Sequence, residues 1–268
     1  MNINLEKAKQ EFIKYTENYN LDVENIKAKQ THSLRVMEIS EKIAEGIGLQ
    51  NEDIKLATLI GLLHDIARFE QYTQYGTYKE MASFDHGDVG AEILQQDLRK
   101  YIENDEYDDI IIKAVQQHNK FGIEEGLTER EELFAKIVRD ADKLDIFYQG
   151  VTRFWKGKEQ EVNNSVISKD AIQQIKNFSQ TKRKLNESAI DNVMRVVAFI
   201  FDLNFRASFQ ILQKEDYINK MLDRYNLSDK DTNGAVEAIR KIANKYIAQK
   251  CKGKPKKEKN ILQLEERS

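Results

Sequence analysis

Residues that break helices are scarce in this sequence. Its 268 residues contain one proline, Pro255, and 12 glycines. Sheet-rich folds need frequent turns built on these two residues, whereas both residues destabilise helix interiors. A chain of this length with so few of them is expected to consist of long helices, and we predict an all-α fold.

Composition narrows the class of protein further. The chain is 40% hydrophobic and 32% charged, and its net charge of −3 argues against a general nucleic-acid binder. Its longest apolar stretches, 56–63 and 196–201, are far shorter than the roughly 18–20 residues that span a bilayer. The first residues lack the apolar core of a signal peptide, and the single cysteine, Cys251, permits no intrachain disulfide. We therefore expect a cytoplasmic protein with no membrane partner.

Apolar residues recur at helical spacing through most of the first half of the chain. The pattern predicts helices over 3–20, from a Thr31 N-cap to the Gly46–Gly48 stop, over 54–66 after an Asn51 cap, from an Asp85 cap onward, over 108–119, and over 129–148. Residues 67–85 are polar and aromatic without a clear period. We predict a long loop there, of the kind that is often functional.

The second half is also predicted to be helical, but it ends in a basic segment. Helices are expected over 171–178, over 187–225 with a break near 202–204, and over 229–250 with Thr232 or Asn233 as the cap. A lysine run around Gly253 and Pro255 then marks a solvated, mobile tail. This half shows no second set of candidate metal ligands, although Asn204 and Arg206 stand among aromatic residues and are candidates to reach a pocket.

All four histidines lie in the first half of the chain: His32, His64, His86 and His118. The His64-Asp65 pair ends the most apolar predicted helix, where a buried carboxylate requires a hydrogen-bonding partner or a metal ion. On its own, such a dipeptide favours a hydrogen-bonded core pair. A second acidic cluster interrupts another apolar helix and contains Asp140, Asp142 and Asp145.

Imidazole and carboxylate ligands together suit Mn, Fe, Co or Zn. Four histidines and two or more aspartates are enough ligands for two ions. A bridging aspartate would hold such ions roughly 3.5–4 Å apart in a two-metal hydrolytic site. Helical periodicity does not choose between Asp140 and Asp142, because both lie in line with apolar residues one turn away.

In order, spacing and helical context, these residues resemble the HD-domain metal-dependent phosphohydrolases. The family's histidine, His-Asp pair and distant aspartate match His32 in Thr-His-Ser-Leu-Arg-Val, His64-Asp65 in Leu-Leu-His-Asp-Ile, and Asp142 in Asp-Ala-Asp-Lys-Leu-Asp. Dinuclear members add two histidines between the pair and the last aspartate, where this chain has His86 and His118. The resemblance covers about residues 28–150, and its Ala-Asp pattern favours Asp142 over Asp140.

The resemblance implies a role for each of these residues. His32, His64, Asp65 and Asp142 would hold one metal ion, and Asp65 would bridge to a second ion completed by His86 and His118. The implied cofactors are two divalent ions per chain, with Fe or Mn favoured and Mg, Co, Ni or Zn as alternatives.

Three cations near these ligands are candidates to bind phosphoryl oxygens: Arg68, Lys120 and Lys143. For each of them, a solvated surface charge is the competing interpretation. Asp140 and Asp145 would support the ligands or the helix. An exposed His86 would leave a site for a single ion.

The implied architecture is an HD-domain helical bundle with further C-terminal helices packed on it. We predict an HD domain with an N-terminal helix over 1–155, a helical extension over 156–250, and a basic flexible tail over 251–268. The expected activity is hydrolysis of a phosphoester bond in a nucleotide or another small phosphorylated metabolite by a metal-activated hydroxide. The alternatives are an HD-fold di-iron oxygenase and a non-catalytic nucleotide-sensing module, and a homodimer is left open.

Overall fold

The computed structural model describes residues 3–79, 83–181 and 187–252, and within these ranges it contains helices and no β-strand. The all-α prediction is therefore confirmed. The elements of the first half are α1 (Leu5–Glu17), α2 (Glu24–Gly46), α3 (Asn51–Leu63), α4 (Ala67–Tyr75), α5 (His86–Asp97), the 3₁₀ helix η1 (Leu98–Lys100), α6 (Asp108–Gln117) and α7 (Glu129–Thr152).

The second half continues with shorter helices and one long terminal helix. They are α8 (Glu159–Asn163), α9 (Lys169–Lys176), α10 (Ala189–Ala198), the 3₁₀ helix η2 (Phe199–Asp202), α11 (Arg206–Glu215), α12 (Tyr217–Leu222) and α13 (Lys230–Lys252). None of the helices among the described residues is both long enough and apolar enough to cross a membrane.

The chain divides into two compact units. The first contains the described residues up to Gln149 together with Leu203–Phe205, and the second contains Gly150–Asp202 and the described residues from Arg206 onward. Every histidine lies in the first unit.

Helices α2 and α3 pack very closely within the first unit. Residues 56–63 of α3 are all buried. At Gly61, an added Cβ would lie 2.5 Å from the Ser40 side-chain oxygen and 2.9 Å from the Val36 carbonyl oxygen. Glycine therefore permits a backbone approach that a larger residue would prevent. This contact brings the helix that carries His32 against the one that leads to His64.

Two predicted boundaries in the first unit are wrong. Helix α2 begins at Glu24, well before Thr31, and the Thr31 hydroxyl donates to the Lys27 carbonyl inside the helix. Helix α3 begins at Asn51 itself, and Gln50 is its N-cap residue. A hydroxyl or amide side chain suits an N-cap but also occurs inside helices, so the residue type alone misplaced both starts.

The predicted loop over 67–85 is also wrong in its first part, because Ala67–Tyr75 forms α4. Ala67, Phe69 and Gln71 are buried, and the helix ends at Gly76 with a left-handed φ of 64°. Phe69 contacts Phe12 of α1 edge to face, with ring centroids 5.9 Å apart. This segment contains few aliphatic residues, so its sequence shows no clear helical period of apolar residues. The predicted Asp85 cap is confirmed, since its carboxylate accepts from the Gly87 and Asp88 amides.

In the second unit the chain is more broken than its pattern suggests. The stretch predicted as a helix over 187–225 contains α10, η2, α11 and α12. Asp229, rather than Thr232 or Asn233, caps α13 by accepting from the Thr232 amide at 2.7 Å. The Thr232 hydroxyl accepts instead from the Ile167 amide. Apart from Cys251 and Lys252 at the end of α13, the predicted basic tail lies outside the described residues.

Candidate metal centre

The six predicted ligands come from five places in the first unit. His32 lies within α2, His64 and Asp65 directly follow α3, His86 opens α5, His118 directly follows α6, and Asp142 lies within α7. The four histidines and Asp65 are at most 3% exposed, and the Asp142 side chain is 18% exposed. An exposed His86 is therefore excluded.

Three of the side chains gather around the Nε2 atom of His32. It lies 3.2 Å from His64 Nε2, 3.2 Å from Asp142 Oδ1 and 3.3 Å from Asp65 Oδ2. We call His32, His64 and Asp142 the first group. One ligand atom from each of them lies within 4.8 Å of the other two, which is close enough for a common ion.

The remaining histidines, His86 and His118, lie near the other oxygen of Asp65, Oδ1. His86 Nε2 and His118 Nε2 each lie 3.5 Å from Asp65 Oδ1, and they are 3.1 Å from each other. We call these two histidines the second group. The two oxygens of Asp65 thus face different groups, so this carboxylate could bridge two ions. His64, Asp65 and His118 also offer ligand atoms that lie close enough together for a common ion.

Hydrogen bonds to the backbone orient two of the imidazoles so that each could hold a metal ion. The Nδ1 atoms of His64 and His118 lie 2.8 Å from the Gly61 carbonyl and 2.6 Å from the Val115 carbonyl. A carbonyl oxygen only accepts, so Nδ1 carries the proton in both rings. Each Nε2 therefore presents a lone pair to the cluster.

Asp145 orients His32 in the same way but with a charged group. Its Oδ2 lies 2.5 Å from His32 Nδ1 and accepts from Gln149 Nε2 at 2.7 Å. The Arg35 guanidinium binds both carboxylate oxygens of Asp145. His32 is thereby linked to a network of Asp145, Arg35 and Gln149 behind the cluster, in which Asp145 is buried.

His86 has a different neighbour. The Asn119 amide nitrogen donates to Asp85 Oδ1 at 2.8 Å and lies 3.2 Å from His86 Nδ1. In this orientation His86 Nδ1 accepts, so the proton of the neutral ring is on Nε2, on the cluster side. The Asn119 carbonyl oxygen is buried and has no hydrogen-bond partner. Turning the amide over would let that oxygen accept from Nδ1 and free Nε2 for a metal ion, but it would break the hydrogen bond from the amide to Asp85.

Of the three predicted phosphoryl-binding cations, the structure brings Arg68 to the cluster. Arg68 Nε lies 3.5 Å from Asp65 Oδ1, and its terminal nitrogen donates to the Tyr78 carbonyl. Lys120 Nζ lies 2.8 Å from a carboxylate oxygen of both Asp85 and Asp88, at the N-terminus of α5.

The third predicted cation, Lys143, is buried. It is 6% exposed, and its Nζ lies 3.4 Å from the Arg139 carbonyl oxygen, one turn back along α7.

Asp140 and Asp142 have different contacts. The Asp140 carboxylate accepts from the Asn204 backbone amide, the Asn204 side chain and the Phe205 amide at 2.9–3.1 Å. Asp140 therefore holds segment 203–205 to the first unit, while Asp142 faces His32. Arg206, the other residue proposed to reach a pocket, donates from Nε to the Cys251 carbonyl.

Three residues near the centre escaped the sequence analysis: Lys29, Arg35 and Gln149. Lys29 Nζ lies 2.5 Å from Asp65 Oδ2. Lys29 and Arg35 stand three residues before and after His32, and Gln149 stands four residues after Asp145. That helical spacing places each pair on one face, so a search of the i±3 and i±4 neighbours of the ligands would have found them.

The electrostatics differ between the two groups. Burial lowers the pKa of His32, but hydrogen bonds to Asp142, Asp145 and Asp65 outweigh it and raise the pKa to about 10. Burial, with the positive charge of Arg68, holds the pKa of His86 well below its usual range. Burial likewise lowers the pKa of His118. The first group therefore attracts cations, and the second presents neutral imidazoles.

Comparison with known proteins agrees with the resemblance to HD domains. Residues 30–146 match the family model described as HD domain. The chain is 25% identical over 234 residues to Ribonuclease Y of Mycoplasmoides gallisepticum, an alignment that covers 82% of this chain and 37% of the relative. The chain thus spans little more than a third of that relative's length. No solved structure matches it.

Proposed function

Residues 30–146 of this chain form an HD domain, and on that premise we propose that the protein is a metal-dependent phosphohydrolase. One observation carries the proposal: the two carboxylate oxygens of Asp65 face separate histidine-containing groups. A buried carboxylate placed between converging imidazole nitrogens suits two adjacent divalent ions.

The residues fit such ions in number and type, and all of them except His86 also fit in orientation. His32, His64 and Asp142 would hold one ion and His86 and His118 the other, with Asp65 shared between them. Mixed nitrogen and oxygen ligands favour Fe or Mn over Ca. Bound metal ions supply Lewis acidity and a nucleophilic hydroxide at neutral pH.

The chain's own residues prepare the site for this chemistry. Gly61 and Val115 fix the rings of His64 and His118 through their carbonyl oxygens, and Asp145 fixes His32. Burial of these ligands removes bulk water and strengthens every charge interaction. Arg68 adds a positive charge beside Asp65, where it can bind a phosphoryl oxygen and offset charge in the transition state.

We propose a small phosphorylated metabolite, in particular a nucleotide, as the substrate. The relative's name, Ribonuclease Y, describes an enzyme that cleaves RNA and thus phosphodiester bonds. A diester and a monoester are both compatible with the ligand set, so both belong in the first assay.

The test combines metal analysis with hydrolysis. Purified protein loaded with Mn²⁺ is assayed without oxygen on p-nitrophenyl phosphate and bis-p-nitrophenyl phosphate, and bound metal is counted per chain. We expect about two ions and release of p-nitrophenol, with the second ion and most turnover lost in His86→Ala. Glu38→Gln, which changes an exposed residue of α2, is the control.

Two outcomes would contradict the proposal. Oxygen consumption by iron-loaded protein, without hydrolysis, would support the oxygenase alternative. Absence of bound metal after reconstitution would leave only a non-catalytic module.

A further inference from the structure

Lys29 and Arg68 flank the carboxylate shared by the two groups. Lys29 Nζ lies 2.5 Å from Asp65 Oδ2, and Arg68 Nε lies 3.5 Å from Asp65 Oδ1. Their side chains are 19% and 12% exposed. Two mostly buried cations thus share one carboxylate as a neutralising charge.

Tyr78 holds both cations in place. The Lys29 ammonium lies 5.4 Å and the Arg68 guanidinium 5.8 Å from the centroid of its ring, at cation–π distance. The Tyr78 hydroxyl donates to the Asn25 carbonyl, and the Tyr78 carbonyl accepts from Arg68. The Tyr78 side chain is therefore anchored through its hydroxyl, and both cations lie at cation–π distance from its ring.

Metal loading changes the charge balance of this arrangement. Each oxygen of Asp65 would become a metal ligand, so its negative charge would no longer neutralise the Lys29 ammonium. An ammonium that loses its carboxylate in a mostly buried place is costly, and nearby metal ions would repel it further. An anion beside the metal ions would restore the balance.

We infer that Lys29, held on the Tyr78 ring together with Arg68, binds the phosphoryl group of the substrate and links its binding to metal loading. This inference rests on the proposed function. In the metal-free protein the ammonium occupies one oxygen of Asp65; with metal bound, Lys29 turns to the phosphoryl oxygens. Because coupling between two ligands is reciprocal, phosphate must tighten metal binding by the same factor that metal tightens phosphate binding.

The expected behaviour of the Lys29→Met variant follows from this exchange of Asp65 for phosphate as the partner of Lys29. Without phosphate, the variant should bind Mn²⁺ at least as tightly as wild type, because no ammonium competes for Asp65 Oδ2. With inorganic phosphate, wild type should gain about tenfold in Mn²⁺ affinity and Lys29→Met less than about twofold.

The experiment is a calorimetric titration of metal-free protein with Mn²⁺, with and without inorganic phosphate. Lys27→Met, on an exposed position of the same helix, is the matched control and should behave as wild type. Lys29→Arg should restore most of the phosphate effect by restoring the charge. Tyr78→Leu should reduce the effect about threefold, and Tyr78→Phe, which keeps the ring, should reduce it less.

The outcomes separate this inference from the proposed function. Tight Mn²⁺ binding with the same phosphate effect in Lys29→Met and wild type would overturn the inference and leave the proposed function standing. Mn²⁺ binding with no phosphate effect in any variant would do the same. Failure of the wild type to bind Mn²⁺ at all would overturn both.

Discussion

The two ligand groups share Asp65 but are supported by different kinds of residues. In the first group, the carboxylate of Asp142 faces His32, and a second carboxylate, Asp145, lies behind the ring with Arg35 bound to it. In the second group, His118 is held by a neutral backbone carbonyl, and His86 contacts a neutral amide. The carboxylate that faces the second group is Asp65, through its Oδ1 atom.

This difference predicts that the two proposed ions would not be bound equally tightly. Attraction between a divalent cation and its ligands grows with the number of nearby carboxylates, most of all in a buried site. In the second group, the Asn119 amide must also turn before the Nε2 atom of His86 can present a lone pair to a metal ion. We therefore expect the first group to bind its ion tightly and the second group to bind its ion more weakly.

The largest effect is expected from Asp65→Asn, which removes the one residue common to both groups. A neutral amide offers one oxygen ligand instead of two, so both ions should be weakened together. Turnover on the phosphoester substrate should fall on the order of a thousandfold or more. Glu38→Gln makes the equivalent change at an exposed carboxylate and should keep full activity. Comparable turnover in the two variants would refute a shared carboxylate.

Asp145→Asn should weaken metal binding in the first group only, because Asp145 contacts His32 and supports that group alone. Loss of a supporting carboxylate behind a metal-binding histidine costs about 10–100-fold in metal affinity. Titration with Mn²⁺ should show that loss for the tighter ion and little change for the weaker one. Asp109→Asn, at an exposed position of α6, is the control. An equal loss for both ions would mean that the groups are not independently supported.

The pH dependence of metal binding should also differ between the groups. With no metal bound, the raised pKa of His32, about 10, keeps this ring protonated at neutral pH. The first ion must displace that proton, so its affinity should rise about tenfold per pH unit between about pH 7 and about pH 9.

The second group provides the internal comparison for this prediction. The pKa values of His86 and His118 are lowered from 6.5, so no proton from their protonated rings needs to be displaced above neutral pH. Calorimetry in buffers of different ionisation enthalpy counts the protons released at each step. Equal proton release for both ions would contradict the assigned difference.

The smallest effect is expected from Lys120→Met. Lys120 bridges Asp85 and Asp88 at the start of α5, and all three side chains are partly exposed. Such pairs contribute about 1 kcal/mol or less to stability. Thermal unfolding should shift slightly, while turnover with both ions bound stays near wild type. A loss of turnover of about a hundredfold would instead establish Lys120 as a phosphoryl-binding residue.

Much of the centre could be predicted because its residues are of rare types in a specific order. The chain has four histidines, and the structure brings all of them to one cluster. Periodicity located α6 and α7 well, since their aliphatic stripes are regular. It missed α4, whose buried face contains Phe69 and Gln71 instead of aliphatic residues.

Other features depend on contacts between residues distant in sequence. Asp140 and Asp142 have similar apolar neighbours along α7, and the distinction between them comes from Asn204 and Phe205, more than 60 positions away. Lys29 resembles any exposed lysine on a polar helix face until the fold places Asp65 beside it. Helical spacing narrows such candidates, but tertiary contacts select among them.

The most direct test of a two-ion centre is anomalous diffraction from crystals of the Mn²⁺-loaded protein. We predict two anomalous peaks, one on each side of the Asp65 carboxylate. The stronger peak should lie near His32, His64 and Asp142, and the weaker one near His86 and His118. A single peak in the first group, unchanged at saturating Mn²⁺, would contradict the bridging role of Asp65 and the second ion.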